Sequence, residues 1–502
     1  MASLKKLAGQ TIWYGLSNIA AKLLNYILTP LLTYLLASPQ GQVDFGDVSV
    51  LYAAIAFANV LYTYGLETAY FRFSGTVTDR VSLFRTTFSS LLVSTLLFSL
   101  LAYIFRDPLS SFLGLTGYPE YIMLCAAIIG FDTLSAIPFA RLRQEERPRK
   151  YAFVKVAGIV INILLTVFFI YYSPGMVKEN PDSAYAAWYR MQTNVGLLLL
   201  ANLAQAMVTF VLLWNEWKDY RARTDKALLG RILSYSGPML IAGLGGMVNE
   251  TIDRIMLRKL MPGSEDMAST AVGIYSANYK LAIFITLFIQ AFRMGAEPFF
   301  FRQAAEKNAP HTYARVMKWF VITLCIAFLF TALYLDIWQL LLGKPYREGA
   351  GVVPILLGAN VALGIYYNLS VWYKITDRVR IGMYITLLGA AITLIINYSF
   401  IPQYGWYACA WATFACYSVM MVLSYALGQR YFPVPYDIKR IAGYLLLMVL
   451  LFAMQKTAGL FLEATMARAA TGTLLMGVFL GAVYFLERKE LRALPLVGRF
   501  IR

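Results

Sequence analysis

Of the 502 residues, 59% are hydrophobic and only 14% are charged, and the mean hydropathy is +0.59. A soluble domain carries about twice that charged fraction, so the composition excludes a water-soluble protein and leaves room for more than a dozen helices of ~20 apolar residues. The net charge of +17 raises nucleic acid as a partner, a reading that only the placement of the charges can decide.

The chain opens with Lys5 and Lys6 and runs into an apolar stretch from Thr11 to Leu36. That stretch is too long for the core of a cleavable signal peptide and reads as a retained first span. Apolar runs between polar breaks then predict thirteen further spans. They lie near 48–71, 83–105, 119–140, 151–172, 191–214, 232–256, 270–292, 315–335, 350–373, 381–400, 406–428, 441–457 and 469–486. The expected fold class is therefore an all-α polytopic membrane protein of about 14 transmembrane helices.

With the N-terminus placed in the cytoplasm, the inner segments with the adjoining span ends hold 31 of the 44 Lys and Arg and the outer loops with the adjoining span ends 10. Lys22, Lys155 and Lys280 lie inside spans. This alternation is the positive-inside rule; it explains the basicity, puts both termini inside, and removes nucleic acid as a partner. No loop is long enough to fold alone, the longest outer one running from Ser173 to Arg190. No Gly-x-x-x-x-Gly-Lys phosphate loop occurs. Cys125, Cys325, Cys409 and Cys416 all lie in apolar runs, and His311 is the sole histidine. Neither a metal site nor a thiol nucleophile is expected, no enzyme activity is read, and no cofactor is expected, with Na+ or H+ coupling left open.

An internal repeat is legible. Gly65-Leu66-Glu67 through Phe71-Arg72 recurs as Gly295-Ala296-Glu297 through Phe301-Arg302, at an offset of 230. Phe45-Gly46 answers Val272-Gly273 at 227, and Leu113-Gly114 answers Leu342-Gly343 at 229. The offset covers six spans, an even number, so the copies share an orientation and imply a parallel repeat about an axis normal to the membrane. The expected division is an N-lobe (1–230), a C-lobe (231–430), and helices 13–14 with a cytoplasmic tail (431–502).

Charges inside spans are costly, at ~2.5–3.5 kcal/mol on insertion scales, and mark candidate sites. Lys22 lies about twelve residues into the first span, near mid-depth at ~1.5 Å per residue, with Asn18 and Asn25 on the same face. A cavity-facing role is favoured over snorkelling or a structural pair. Lys280 is similarly deep in the eighth span and Asp132 in the fourth; they are either partners or separate cavity groups. The seventh span carries Asn249, Glu250, Asp253 and Arg254 towards its outer end. There a Glu250–Arg254 salt bridge competes with a gating or ion-coupling role for Asp253. Glu67 with Arg72, and Glu297 with Arg302, sit near inner helix ends as charge pairs or as an inner gate. Lys155 can snorkel. Deep tyrosines such as Tyr26, Tyr275, Tyr279 and Tyr366 offer faces for sugar rings. Cationic groups suit a pyrophosphate, so an anionic glycolipid fits better than a drug cation.

Gly15-Leu16-Ser17-Asn18 to Pro30, Phe45-Gly46, Asp253-Arg254 and Gly273-Ile274-Tyr275-Ser276-Ala277 together resemble the polysaccharide-lipid flippases of the multidrug/oligosaccharidyl-lipid/polysaccharide (MOP) exporter superfamily. The resemblance covers essentially the whole chain. It implies two six-helix lobes around a central cavity, and inner-membrane transport of an undecaprenyl-pyrophosphate oligosaccharide to the outer leaflet for cell-surface polysaccharide such as O-antigen. It makes Asp253 and Arg254 matched family positions; Lys22 and Lys280 come from the residues alone. Implied partners are the lipid-linked oligosaccharide, membrane lipids and glycan-synthesis proteins. Fourteen helices also resemble the lipid II flippases, whose last two helices make a lipid-tail groove, although Gln455 and Lys456 interrupt span 13 here. The competing readings are a cation- or proton-coupled multidrug exporter and a membrane scaffold.

Overall fold

In the computed structural model, residues 24, 26–217, 220, 224–303, 306 and 308–493 are described. Most of the first predicted span, including Lys22, Asn18 and Asn25, lies outside them. Among them the chain is helical, with thirteen helices or helix pairs long and apolar enough to cross a membrane. It is a multi-pass membrane protein. A shorter apolar helix, α1 (Tyr26–Leu35), continues the first span.

The order is α2 (Pro39–Thr63), α3 (Leu66–Ser74), α4 (Arg80–Ile104), α5 (Arg106–Phe112), α6 (Pro119–Gln144) and α7 (Pro148–Val167). A π-turn at Phe168–Tyr172 leads to α8 (Ser173–Glu179), α9 (Ala184–Arg190), α10 (Asn194–Leu212) and α11 (Trp214–Trp217). Then come the two longest, α12 (Lys226–Leu260) and α13 (Glu265–Gln303), followed by α14 (Ala309–Ala332) and α15 (Leu335–Trp338). Last are α16 (Val353–Leu369), α17 (Val371–Ile375), α18 (Val379–Tyr404), α19 (Trp406–Tyr431), α20 (Ile438–Ala458) and α21 (Thr465–Ala493).

Helices begin where a polar cap or a proline starts them, not where the apolar run does. The Ser38 hydroxyl accepts from Gly41 N at 3.1 Å and Pro39 opens α2, nine residues before the predicted start. Asp79 caps α4 and Asp225 caps α12 in the same way. The second span is broken at Tyr64 and Gly65, both left-handed at φ 33° and 75°. Glycine takes that conformation without strain; Tyr64 is held in it by a 2.6 Å hydrogen bond between its hydroxyl and Ser90.

The chain packs into two units. The first contains α1 to α12, the opening turns of α13 to Ala277, residues 343–346 and residues 386–412. Its interior is layered by Leu66, Tyr70, Leu83, Phe88 and Ile137. Packing units in one conformation and duplicated halves of a sequence are different divisions, and here α12 packs closely on α2.

The second unit contains the rest of α13, α14 to α17, the start of α18, most of α19, and α20 and α21. It fastens the last two helices to α14 at both ends. Lys318 of α14 is buried and its Nζ reaches Glu487 at 2.6 Å and Glu490 at 2.8 Å. Arg440 and the Tyr444 hydroxyl reach Glu487 from α20, at 3.2 and 2.9 Å. Stripping one partner from a buried pair of this kind costs about 3–5 kcal/mol. At the opposite end Gln455 Nε2 donates to the carbonyls of Leu333 (3.3 Å) and Arg468 (2.9 Å), and Arg468 pairs with Asp336 at 3.2 Å. Gln455 is thus a tether within span 13.

Candidate functional site

A polar cluster of the first unit gathers on the outer halves of α12, α2 and α13, with outer and inner assigned by the charge bias of the loops. On α12, Asn249 and Asp253 are one turn apart and both buried. Asp253 is 4% exposed. Its Oδ2 accepts from the Tyr275 hydroxyl of α13 at 2.5 Å, and its Oδ1 from the Arg254 backbone N at 2.9 Å and Nη1 at 3.0 Å. The Arg254 guanidinium also donates to the Glu250 carbonyl at 2.9 Å and lies 5.9 Å from the Tyr275 ring centre. Arg254 is therefore clamped by its own neighbour's carboxylate and by the backbone of Glu250, whose side chain is exposed. Asn249 Nδ2 donates to the Thr386 carbonyl of α18 at 3.3 Å, and Cys409 Sγ faces the Asp253 carbonyl at 3.8 Å.

One turn further on, Arg258 is also buried. It donates to the carbonyls of Gly114 and Glu265 and lies 3.8 Å from the carboxylates of Asp47 and Glu265. The Ser269 hydroxyl donates to Asp47. The partly buried Arg254 and the buried Arg258 are thus matched by the buried Asp253 and the mostly buried Asp47. Such a cluster is a latch in this state. It can take up an anion only if Asp253 or Asp47 withdraws.

Glycine makes the latch possible. A Cβ at Gly46 would overlap the carbonyl oxygen of Ser269, and one at Gly273 would lie 2.9 Å from Gln42 O and 3.2 Å from Gly46 N. Gly46 and Gly273 thus face each other across the α2–α13 contact. A Cβ at Gly343 would likewise overlap Thr33 O, while the Tyr346 hydroxyl donates to Leu36 O at 2.8 Å. Beside this seam α2, α4, α5 and α6 border an open, almost wholly apolar cavity of about 530 Å³, walled by Phe57, Phe98, Phe105 and Phe112 with Ile252 and Ile255 of α12.

The remaining candidates lie elsewhere. Asp132 is exposed on α6 with Lys155 of α7 within electrostatic reach; the Lys155 ammonium sits 4.8 Å above the Phe139 ring. Lys280 is exposed on α13, one turn beyond the buried Ser276. Glu67 pairs with Arg143 of α6, and Arg72 stacks over Tyr235 at 4.4 Å, so the pairing is between helices and not along α3. The side chain of Glu297 lies outside the described residues. Arg258, Asp47 and Ser269 were missed by sequence reasoning because they stand just beyond the apolar runs. The i, i+4 spacing of Arg254 and Arg258 was the available signal.

Residues 7–303 match the family model described as "Polysaccharide biosynthesis protein". The chain belongs to the polysaccharide biosynthesis protein family. Among solved structures, this family member is similar to lipid II flippase MurJ in an inward closed conformation, with a TM-score of 0.72 and 11% identity over 96% of this chain and 100% of that one. It is also similar to the inward-facing conformation of a multidrug resistance MATE family transporter of the MOP superfamily (TM-score 0.56, 15% identity, 84% of this chain and 94% of that one). The outward-facing conformation matches with a TM-score of 0.53 and 14% identity over 85% of this chain and 95% of that one. At these identities the likeness is one of fold, the fold of MOP flippases and exporters. No curated protein sequence matches the chain. The chain is thus a polysaccharide biosynthesis family member on a fold shared with a flippase and an exporter.

Proposed function

We propose that this polysaccharide biosynthesis protein is a secondary flippase of the inner membrane. Its termini lie in the cytoplasm, and it carries undecaprenyl-pyrophosphate-linked oligosaccharide from the cytoplasmic to the outer leaflet by alternating access. The observation that carries the reading is the family match over residues 7–303 on a fold shared with a flippase and an exporter. Lys22 and Lys280, with Asn18, Asn25 and Tyr275, hold the pyrophosphate and sugars. Arg254 joins them when Asp253 releases it, so that the latch and the anionic head compete for one guanidinium. Asp253, Glu250 and Asn249, and at the other end Glu67 and Glu297, belong to the gates. The apolar cavity beside the latch suits an isoprenoid segment. The chain performs no covalent chemistry.

Lys280→Ala is expected to cut export about tenfold or more, the worth of one charge-assisted hydrogen bond. The measurement is the fraction of lipid-linked glycan reachable by a glycan-modifying enzyme added outside spheroplasts. Unimpaired export would remove Lys280 from the site. Efflux of cationic drugs that ignores Lys280 but requires Asp132 would instead favour the multidrug-exporter reading.

A further inference from the structure

At the opposite ends of the helices from the latch, the first unit contains a cavity of about 350 Å³, with charged and apolar walls, between the start of α4, the end of α6 and the segment around α11. The loops that border it fall on the side that the charge bias assigns to the cytoplasm. Arg80, Arg85 and Arg141 line it, with Gln144, Glu145 and Glu216.

The two carboxylates are already spoken for. Glu216 is buried and bonded by Arg147 at 3.0 Å and by Lys150 at 2.7 Å. Glu145 is bonded by Arg141 at 2.7 Å and Arg147 at 3.2 Å. Burial alone would raise the Glu145 carboxyl, but these two guanidinium groups outweigh it and hold it below its ordinary value. Among the described residues, five cations therefore face these two carboxylates, and the surplus is positive. Asp79, next in the chain to Arg80, has one carboxylate oxygen engaged in capping α4.

Two donors on the cavity wall are unspent. The Nε of Arg85 and the Nε2 of Gln144 are buried without a hydrogen-bond partner among the described residues, although Gln144 accepts from the Tyr70 hydroxyl at 2.7 Å through its other atom. A buried donor left unsatisfied costs about 1–3 kcal/mol, and more when charged, so a cavity with two of them beside excess cations is built for an acceptor-rich anion. Planar guanidinium groups match phosphate oxygens in particular. The depth argues for the source. Trp214 and Val81 are exposed apolar side chains at this level, and Trp217 and Tyr220 stand with them, as in the aromatic belt at a membrane–water boundary.

We propose that this cavity binds the phosphate group of a lipid headgroup in the leaflet on its side of the membrane, with Arg80, Arg85 and Gln144 as the donors. The site is independent of the transported substrate and is separate from the Asp253 latch.

The full-length protein in nanodiscs of phosphatidylcholine doped with phosphatidylglycerol, released into the gas phase, tests it by counting the phosphatidylglycerol molecules retained. Arg85→Gln is expected to lower retention of one tightly held molecule about tenfold, whereas Arg85→Lys, which keeps the charge, retains most of it. Equal retention by wild type and Arg85→Gln would overturn the proposal. In a second arm, inorganic phosphate is titrated against the protein in detergent and thermal stability is read. Weak or no stabilisation by phosphate alongside lipid retention fits a headgroup site. Strong Arg85-dependent stabilisation by phosphate without lipid retention would overturn the lipid source and make the ligand a soluble anion.

Discussion

Gly46→Ala is expected to reduce export about 10- to 100-fold while the protein still inserts. The added methyl would occupy the position of the Ser269 carbonyl oxygen. Accommodating it requires α2 and α13 to separate along the seam that Gly46 and Gly273 form. Overpacking of this kind costs about 1–3 kcal/mol, and each 1.4 kcal/mol is tenfold in an equilibrium. The penalty falls only on the conformation in which this seam is closed, so the cycle stalls with the outer end open. Ala271 is buried beside the seam. In an Ala271→Cys background, Gly46→Ala should raise labelling by a membrane-impermeant thiol reagent. Gly237→Ala is the control, because a Cβ there meets nothing within 4 Å, and it should leave both readings unchanged. Normal export by Gly46→Ala would mean that the seam never needs to close.

Asp253→Ala should be the most damaging single change in the polar cluster. It leaves the Arg254 guanidinium, whose side chain is 12% exposed, without its carboxylate, and the Tyr275 hydroxyl without its acceptor. Removing one member of a buried pair typically costs about 3–5 kcal/mol, visible as a lowered melting temperature in detergent. The paired replacement Asp253→Leu with Arg254→Met removes both charges, and by the same reasoning recovers most of the stability. Export should not recover with it, because the cation that exchanges between latch and pyrophosphate is gone. Full export by the double variant would reduce the pair to a structural clamp.

The membrane spans were legible because they are written in a coarse signal, runs of apolar residues. Gly46 and Gly273 face each other in the structure, a proximity that no apolar run encodes. Helix ends were not legible from hydropathy. Ser38, Asp79 and Asp225 start helices through side-chain hydrogen bonds that add nothing to an apolar count, and the break at Tyr64–Gly65 falls within a run read as one span. The same shortfall hid Arg258 and Asp47, which stand on helical turns just beyond the apolar runs. Asp253 and Arg254 could be singled out because they lie inside a span; their mutual pairing could not, since Glu250 stood at the more familiar i, i+4 spacing. The Lys318–Glu487 pair joins residues 169 positions apart, a proximity that no local pattern encodes.

The central claim is tested most directly with purified protein in proteoliposomes carrying a fluorescent undecaprenyl-pyrophosphate oligosaccharide in both leaflets. A membrane-impermeant quencher, added outside, reads the rate at which inner-leaflet lipid becomes reachable. The account predicts that wild-type protein raises that rate well above empty vesicles and that Gly46→Ala does not. Equal rates with and without the wild-type protein, under an imposed sodium or proton gradient as well as without one, would contradict it.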